Sequence, residues 1–111
     1  VSGCPTKEEE ILKNEKDVKK AVKKVLDSLP KCWYFMPPAN GYGRSGIPDF
    51  IGSVNGHLFA VETKFGKNDL SANQVREVHA LIQNNNKVWI TRETSVDSFD
   101  VEIRAWAELC S

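Results

Sequence analysis

The sequence predicts one α/β domain, a small mixed sheet flanked by helices in the order α-β-β-β-α-β-α, and three observations carry that prediction. Apolar residues recur at helical spacing near the start of the chain, after position 71 and again before the C-terminus. Asn55-Gly56 stands between two apolar runs. That pair is the strongest short-range hairpin signal, because a two-residue type I′ turn needs positive φ at both central positions. Strand and helix patterns then alternate, which puts helices against a sheet rather than sheet against sheet. The 111 residues suffice for a real core without disulfides and are read as a single domain over 1–111.

Each element follows in order. Ile11, Leu12, Val18, Val22, Val25, Leu26 and Leu29 predict a helix from Thr6 to Leu29, with Thr6 as N-cap ahead of Glu8, Glu9 and Glu10 and Pro30 closing it. Cys32 to Met36 reads as a short strand, and Pro37 to Gly46 as a Pro/Gly loop carrying Tyr42 and Arg44. The hairpin spans Ile47 to Lys64, and Gly66 to Asp69 form a loop after it. Ser71 starts a second helix with a capping box, Ser71-x-x-Gln74, whose Val75, Val78, Leu81 and Ile82 face inward. Lys87 to Thr91 is a further strand and Val96 to Leu109 a terminal helix.

The hairpin is the informative part. With Asn55-Gly56 as the turn, Val54 faces His57 and Asp49 falls opposite Glu62. Directly opposed residues project from the same face with Cβ atoms about 4.5–5.5 Å apart, and Lys64, two residues along from Glu62, shares that face. Two carboxylates and an ammonium thus converge inside an apolar run. A divalent cation with oxygen ligands is the natural compensation. In the same register Phe59 lies opposite Gly52, where a ring can cover the bare backbone.

Composition excludes several classes. Formal net charge is zero, which argues against a strong nonspecific nucleic-acid binder. From Glu93 to the end, five acids against Arg104 leave a local charge of −4, so the preceding part carries +4 and is where a polyanion would bind. No apolar run approaches a membrane span and no signal peptide is evident, so a cytoplasmic protein with no membrane partner is expected. Cys4, Cys32 and Cys110 are too scattered for a zinc motif and fit free thiols in a reducing compartment.

A Pro-acid pair followed by acid-x-Lys is a loose motif alone, but here a basic glycine-rich loop precedes it and an acid, Glu15, lies on the apolar stripe of the upstream helix. Gly43-Arg44-Ser45-Gly46-Ile47-Pro48-Asp49, then Ala60-Val61-Glu62-Thr63-Lys64, then Leu70-Ser71-x-x-Gln74, resembles the VRR-NUC branch of the PD-(D/E)xK nuclease superfamily, over about Glu15 to Thr91. The resemblance implies a restriction-endonuclease-like core and a metal-dependent endodeoxyribonuclease. It is similar to the stand-alone phage and bacterial forms, which implies Holliday-junction resolvase activity on branched DNA, a role near DNA repair, and a homodimer. It further implies that Asp49 and Glu62 coordinate Mg²⁺ or Mn²⁺ with the Thr63 carbonyl, that Glu15 holds the metal directly or through water, and that Lys64 acts on the attacking water and the phosphate.

Other residues divide between roles. Glu15 is either the helix acid of the site or an ordinary partner of Lys19, with Glu8 competing for the motif position. Gln74 either completes the capping box or points to the site, one side chain serving both at different times. Arg44, Tyr42 and Lys67 are expected at the DNA backbone. The stripe Lys16, Lys19, Lys20, Lys23 and Lys24 is a solvated helix face. His57 and His79 read as structural, and Trp33, Trp89 and Trp106 as core or dimer-interface residues.

Overall fold

The computed structural model describes residues 11–38 and 43–111. Three helices and four strands follow the expected order: α1 Glu15–Asp27, β1 Cys32–Phe35, β2 Phe50–Val54, β3 His57–Thr63, α2 Ala72–Gln83, β4 Lys87–Thr91 and α3 Val96–Leu109. The sheet order is β1-β2-β3-β4, with β1/β2 and β2/β3 antiparallel and β3/β4 parallel. A parallel pair cannot be closed by a tight turn, so α2 makes the crossover between β3 and β4.

The central hairpin has the register that its turn dictates. Asn55 and Gly56 take φ values of +48° and +87°. Phe50 pairs with Val61, Gly52 with Phe59 and Val54 with His57. The ring of Phe59 covers Gly52 so closely that a Cβ there would stand 2.7 Å from ring carbons and 2.5 Å from the Trp33 carbonyl oxygen. Alternation along β2 buries Phe50, Gly52 and Val54 on one face. There Val22, Val25 and Leu26 of α1 and Phe99, Ile103 and Ala107 of α3 complete the core with Val61 and Trp89. Trp89 meets Phe99 and Trp106 edge-on, with ring centroids 5.5 and 5.6 Å apart.

Two expectations are corrected. The first helix begins at Glu15 rather than near Thr6, and Ile11 and Leu12 precede it. Asn14 is the cap: its Oδ1 accepts from the Asp17 amide at 2.9 Å while Asp17 Oδ2 accepts from the Lys13 amide at 2.9 Å. Thr6 and Glu8 to Glu10 lie outside the described residues. The second correction concerns α2, where Val75 and Ile82 are 51 % and 53 % exposed while Glu77 and Val78 are buried. The inward stripe is rotated because an ion pair draws Glu77 inward, as described below.

The remaining elements stand as expected. Ser71 Oγ accepts from the Gln74 amide and Gln74 Oε1 from the Ser71 amide, so the capping box is closed. Cys32 and Cys110 are free thiols, and Cys4 lies outside the described residues. Trp89 and Trp106 belong to the core, whereas Trp33 is 63 % exposed. Among the described residues no helix is long and apolar enough to cross a membrane.

Candidate active site on the central hairpin

Asp49 sits one residue before β2, just beyond the last ladder pair Phe50–Val61, and Glu62 follows Val61 on β3, so the end of the ladder brings the two acids together. The contact is reciprocal. The Asp49 amide donates to Glu62 Oε1 at 3.2 Å, and the Thr63 amide donates to Asp49 Oδ2 at 3.0 Å. The Thr63 hydroxyl adds a second bond to the same Oδ2 at 2.5 Å. Asp49 is therefore fixed by backbone and side-chain donors, and its other oxygen, Oδ1, turns to Lys19 Nζ at 3.6 Å.

Glu62 is 2 % exposed yet ionisable. Its Oε2 accepts from Gln74 Nε2 at 2.8 Å and lies 3.6 Å from Lys64 Nζ. Burial pushes its carboxyl up to about 7, and the Asp49 charge pushes the same way, whereas Lys64 and the Asp49 amide pull it back. Burial, more than any missing partner, keeps this acid from its charged form, since Lys64 already stands beside it. Further positive charge beside the pair would favour the ionised form.

Gln74 does both of its candidate jobs at once. Its Oε1 caps α2 and its Nε2 binds Glu62, so one amide ties the start of the helix to the buried acid. The two ends of an amide are opposite in character, one accepting and one donating, which is why a single side chain suffices. Lys64 is itself mostly buried, and its amide donates to the Thr91 carbonyl at 3.0 Å, anchoring the end of β3 on β4.

Glu15 stands at the first position of α1 and lies 3.8 Å from Lys19. Lys19 in turn reaches Asp49, so Glu15 is both a salt-bridge partner and a neighbour of the site through that lysine. Assigned by sequence to a solvated stripe, Lys19 instead leans toward the acids. Its i,i+4 spacing from Glu15 signalled the ion pair between those two, not the reach to Asp49. Arg44 pairs with Glu77, and Lys67 is exposed in the loop after Lys64, whose carbonyls Gly66 O and Asn68 O are held by Arg92 at 3.0 and 2.6 Å. Tyr42 lies outside the described residues, as does Glu8.

Among the described residues, no three His, Cys, Asp or Glu side chains are grouped so as to enclose a metal by themselves. Asp49 and Glu62 nevertheless fit Mg²⁺ or Mn²⁺. Mg²⁺ commonly takes one or two carboxylates and completes its shell with water and substrate phosphate, and the Glu62 carboxyl, raised by burial and by the Asp49 charge, is one that added positive charge would ionise. Thr63 was expected as a ligand through its carbonyl; its amide and hydroxyl have the additional work of orienting Asp49.

The comparison with solved structures bears on the fold alone. A solved structure described as a VRR_NUC domain is similar to this chain at a TM-score of 0.62 and 24 % identity, over 76 % of this chain and 90 % of that one. No family model matches the chain, and no curated protein matches it.

Proposed function

We propose that this protein is a metal-dependent endonuclease that hydrolyses DNA phosphodiester bonds at the Asp49–Glu62–Lys64 site, selective for branched DNA and acting as a Holliday-junction resolvase. The observation that carries the reading is the contact of Asp49 with Glu62 at the end of the hairpin, with Glu62 buried beside Lys64 and its carboxyl near 7. Asp49 and Glu62 would hold Mg²⁺ or Mn²⁺, joined by the Thr63 carbonyl and by Glu15 directly or through water. Bound there, the cation supplies positive charge to the scissile phosphate and acidifies a water.

The protein's own groups supply the rest. Thr63 holds Asp49 Oδ2, which leaves Oδ1 as the outward oxygen. Gln74 fixes Glu62 Oε2 from the helix, so neither acid has to be ordered when substrate arrives. Lys64 Nζ, held near Glu62, would donate to the attacking water and to the phosphate oxygens as charge builds on them. Attack in line with the leaving oxygen would give a 5′-phosphate and a 3′-hydroxyl. Arg44, Tyr42 and Lys67 would contact the backbone on either side, Arg44 as a fork and the lysine as a point charge.

A homodimer belongs to the proposal, since two symmetric cuts across a four-way junction need two sites related by a twofold axis. Trp33 and Phe35 support it. Their rings lie 5.6 Å apart on edge strand β1, and both pair with β2 residues that share the Asp49 face, so an exposed aromatic patch borders the site.

The test is cleavage of end-labelled four-way junction, flap and linear duplex DNA in Mg²⁺ or Mn²⁺, with light scattering of the protein alone and with junction. Paired symmetric cuts by a dimer are expected. Cleavage of flap or duplex in preference to junction would make the protein a nickase or flap nuclease of the same fold. No cleavage, together with no heat of metal binding in calorimetry, would leave a noncatalytic DNA-binding module.

A further inference from the structure

Among the described residues, Glu62 and Glu77 are the two buried acids, and only Glu62 has a place in the proposed chemistry. Glu77 follows Gln74 by three residues on α2, so it lies on the same side of the helix about 4.5 Å further along the axis. A carboxylate that is 6 % exposed is costly unless it is paired. Its Oε2 receives Arg44 Nε at 2.7 Å together with Arg76 Nε at 3.2 Å and Nη2 at 3.1 Å. The bond from Arg44, then that from Arg76, hold the carboxyl below its usual range, so it stays charged.

The two arginines are used differently. Arg76 is a brace: besides Glu77 it donates through Nη1 to Asn73 Oδ1 at 3.2 Å and through Nη2 to the Ser45 carbonyl at 3.4 Å. Arg44 binds Glu77 through Nε, the inner nitrogen of its fork, and its side chain remains 66 % exposed. An arginine gripped at Nε presents its terminal nitrogens together, the geometry that suits two oxygens of one phosphate. The surrounding loop is seated firmly. Asn73 Nδ2 donates to Ser45 Oγ at 2.9 Å, and a Cβ at Gly46, whose φ is +84°, would meet the Asn73 carbonyl oxygen at 2.4 Å. The same loop continues to Asp49, while the helix it rests on delivers Gln74 to Glu62.

We propose that Glu77 and Arg76 are positioning residues that fix Arg44 as a phosphodiester-binding group beside the Asp49–Glu62 site; this inference rests on the nuclease reading above. Two guanidinium groups around one carboxylate leave a net positive charge, so the cluster attracts an anion while its geometry is already set. The ligand is the DNA backbone at a phosphate next to the scissile one, read without regard to base.

The decisive readout is the salt dependence of binding. A fluorescently labelled four-way junction is titrated with the full chain in Ca²⁺ over a series of NaCl concentrations, and Arg44→Ala, Glu77→Ala, Glu77→Gln and the Arg44→Ala/Glu77→Ala double variant are compared, with circular dichroism to establish folding. Arg44→Ala is expected to reduce the slope of log K against log salt by about 0.9, the loss of one phosphate contact. Glu77→Ala removes a negative charge, so net charge alone would tighten binding to DNA. Positioning demands the opposite sign: binding several-fold weaker, the same loss of slope, and a double variant no worse than Arg44→Ala. If Glu77→Ala fails to fold, Glu77→Gln carries the test, with weaker binding again expected. A wild-type slope in Arg44→Ala, or tighter binding in either folded Glu77 variant, overturns the inference. Absence of salt-dependent binding by the wild type would instead overturn the nuclease reading on which it rests.

Discussion

Glu62→Gln isolates the electrostatic cost of the site. With the Glu62 carboxyl near 7 against an ordinary 4.5, the folded protein binds that proton more tightly than the unfolded chain between those values. Stability is therefore greatest at the acid end of the window, falls as pH rises through it and levels off above about 7. At 1.36 kcal/mol per unit the full effect is about 3 kcal/mol. Solvent at the open side of the site screens part of it, leaving on the order of 1–3 kcal/mol. The amide introduced by Glu62→Gln mimics the protonated acid and can still accept from Gln74 Nε2. The variant should match the wild type near pH 5 and exceed it at pH 8 by that amount, roughly 4–8 °C in Tm for each kcal/mol. Asp27 and Glu77, whose carboxyls are lowered by Tyr34 and Arg44 respectively, titrate at more acid pH in both proteins and cancel in the difference. Urea unfolding in EDTA from pH 5 to pH 8 measures it. Adding Mg²⁺ at pH 8 should then shrink the variant's advantage, since binding at 100 times Kd stabilises the wild type by about 2.7 kcal/mol and the variant by less. A stability difference that is constant across this pH range would refute the electrostatic account of Glu62.

Three further substitutions probe what holds the site. Gly52→Ala should destabilise the fold by roughly 2–4 kcal/mol, because the added methyl meets the Phe59 ring and the Trp33 carbonyl; unfolding within about 0.5 kcal/mol of wild type would contradict the packing described. Thr63→Val keeps the shape but removes the hydroxyl donor to Asp49 Oδ2, with an expected cost of about 1–2 kcal/mol and weaker Mn²⁺ binding in calorimetry; unchanged affinity would mean that Thr63 does not orient the acid. Gln74→Ala cuts the helix cap and the Glu62 bond together, so it should lose about 1–2 kcal/mol and also slow cleavage. Lost stability with full activity would restrict Gln74 to capping.

Much of this architecture was legible because it is locally encoded. Asn55-Gly56 set the hairpin register, which put Phe59 over Gly52 and, one step beyond the last pair Phe50–Val61, brought Asp49 to Glu62. Ser71-x-x-Gln74 located the start of α2, and the apolar runs located β4 and α3. What escaped depends on partners distant in sequence. Nothing near Glu77 announces that Arg44, 33 residues earlier, neutralises it, so an apolar stripe through Val75 and Ile82 read as the buried side. The first helix was overextended because Thr6 followed by acids looks like a start, whereas the Asn14–Asp17 exchange, a reciprocal pair of bonds, makes the actual one. Lys19 was assigned to solvent by its neighbours in the stripe. Its reach to Asp49 follows from where α1 lies on the sheet, which periodicity does not specify.

Lys64 offers the most direct test, since it pairs with Glu62, is one of the groups proposed to act on the phosphate, and leaves both acids in place when removed. Single-turnover cleavage of a labelled DNA substrate in Mg²⁺ should proceed with the wild type, stop on addition of EDTA and fall by about 10²–10⁴-fold in Lys64→Ala, with metal binding by calorimetry retained. Cleavage that survives in Lys64→Ala at the wild-type rate, or that continues in EDTA, would contradict a metal-dependent nuclease centred on Asp49, Glu62 and Lys64.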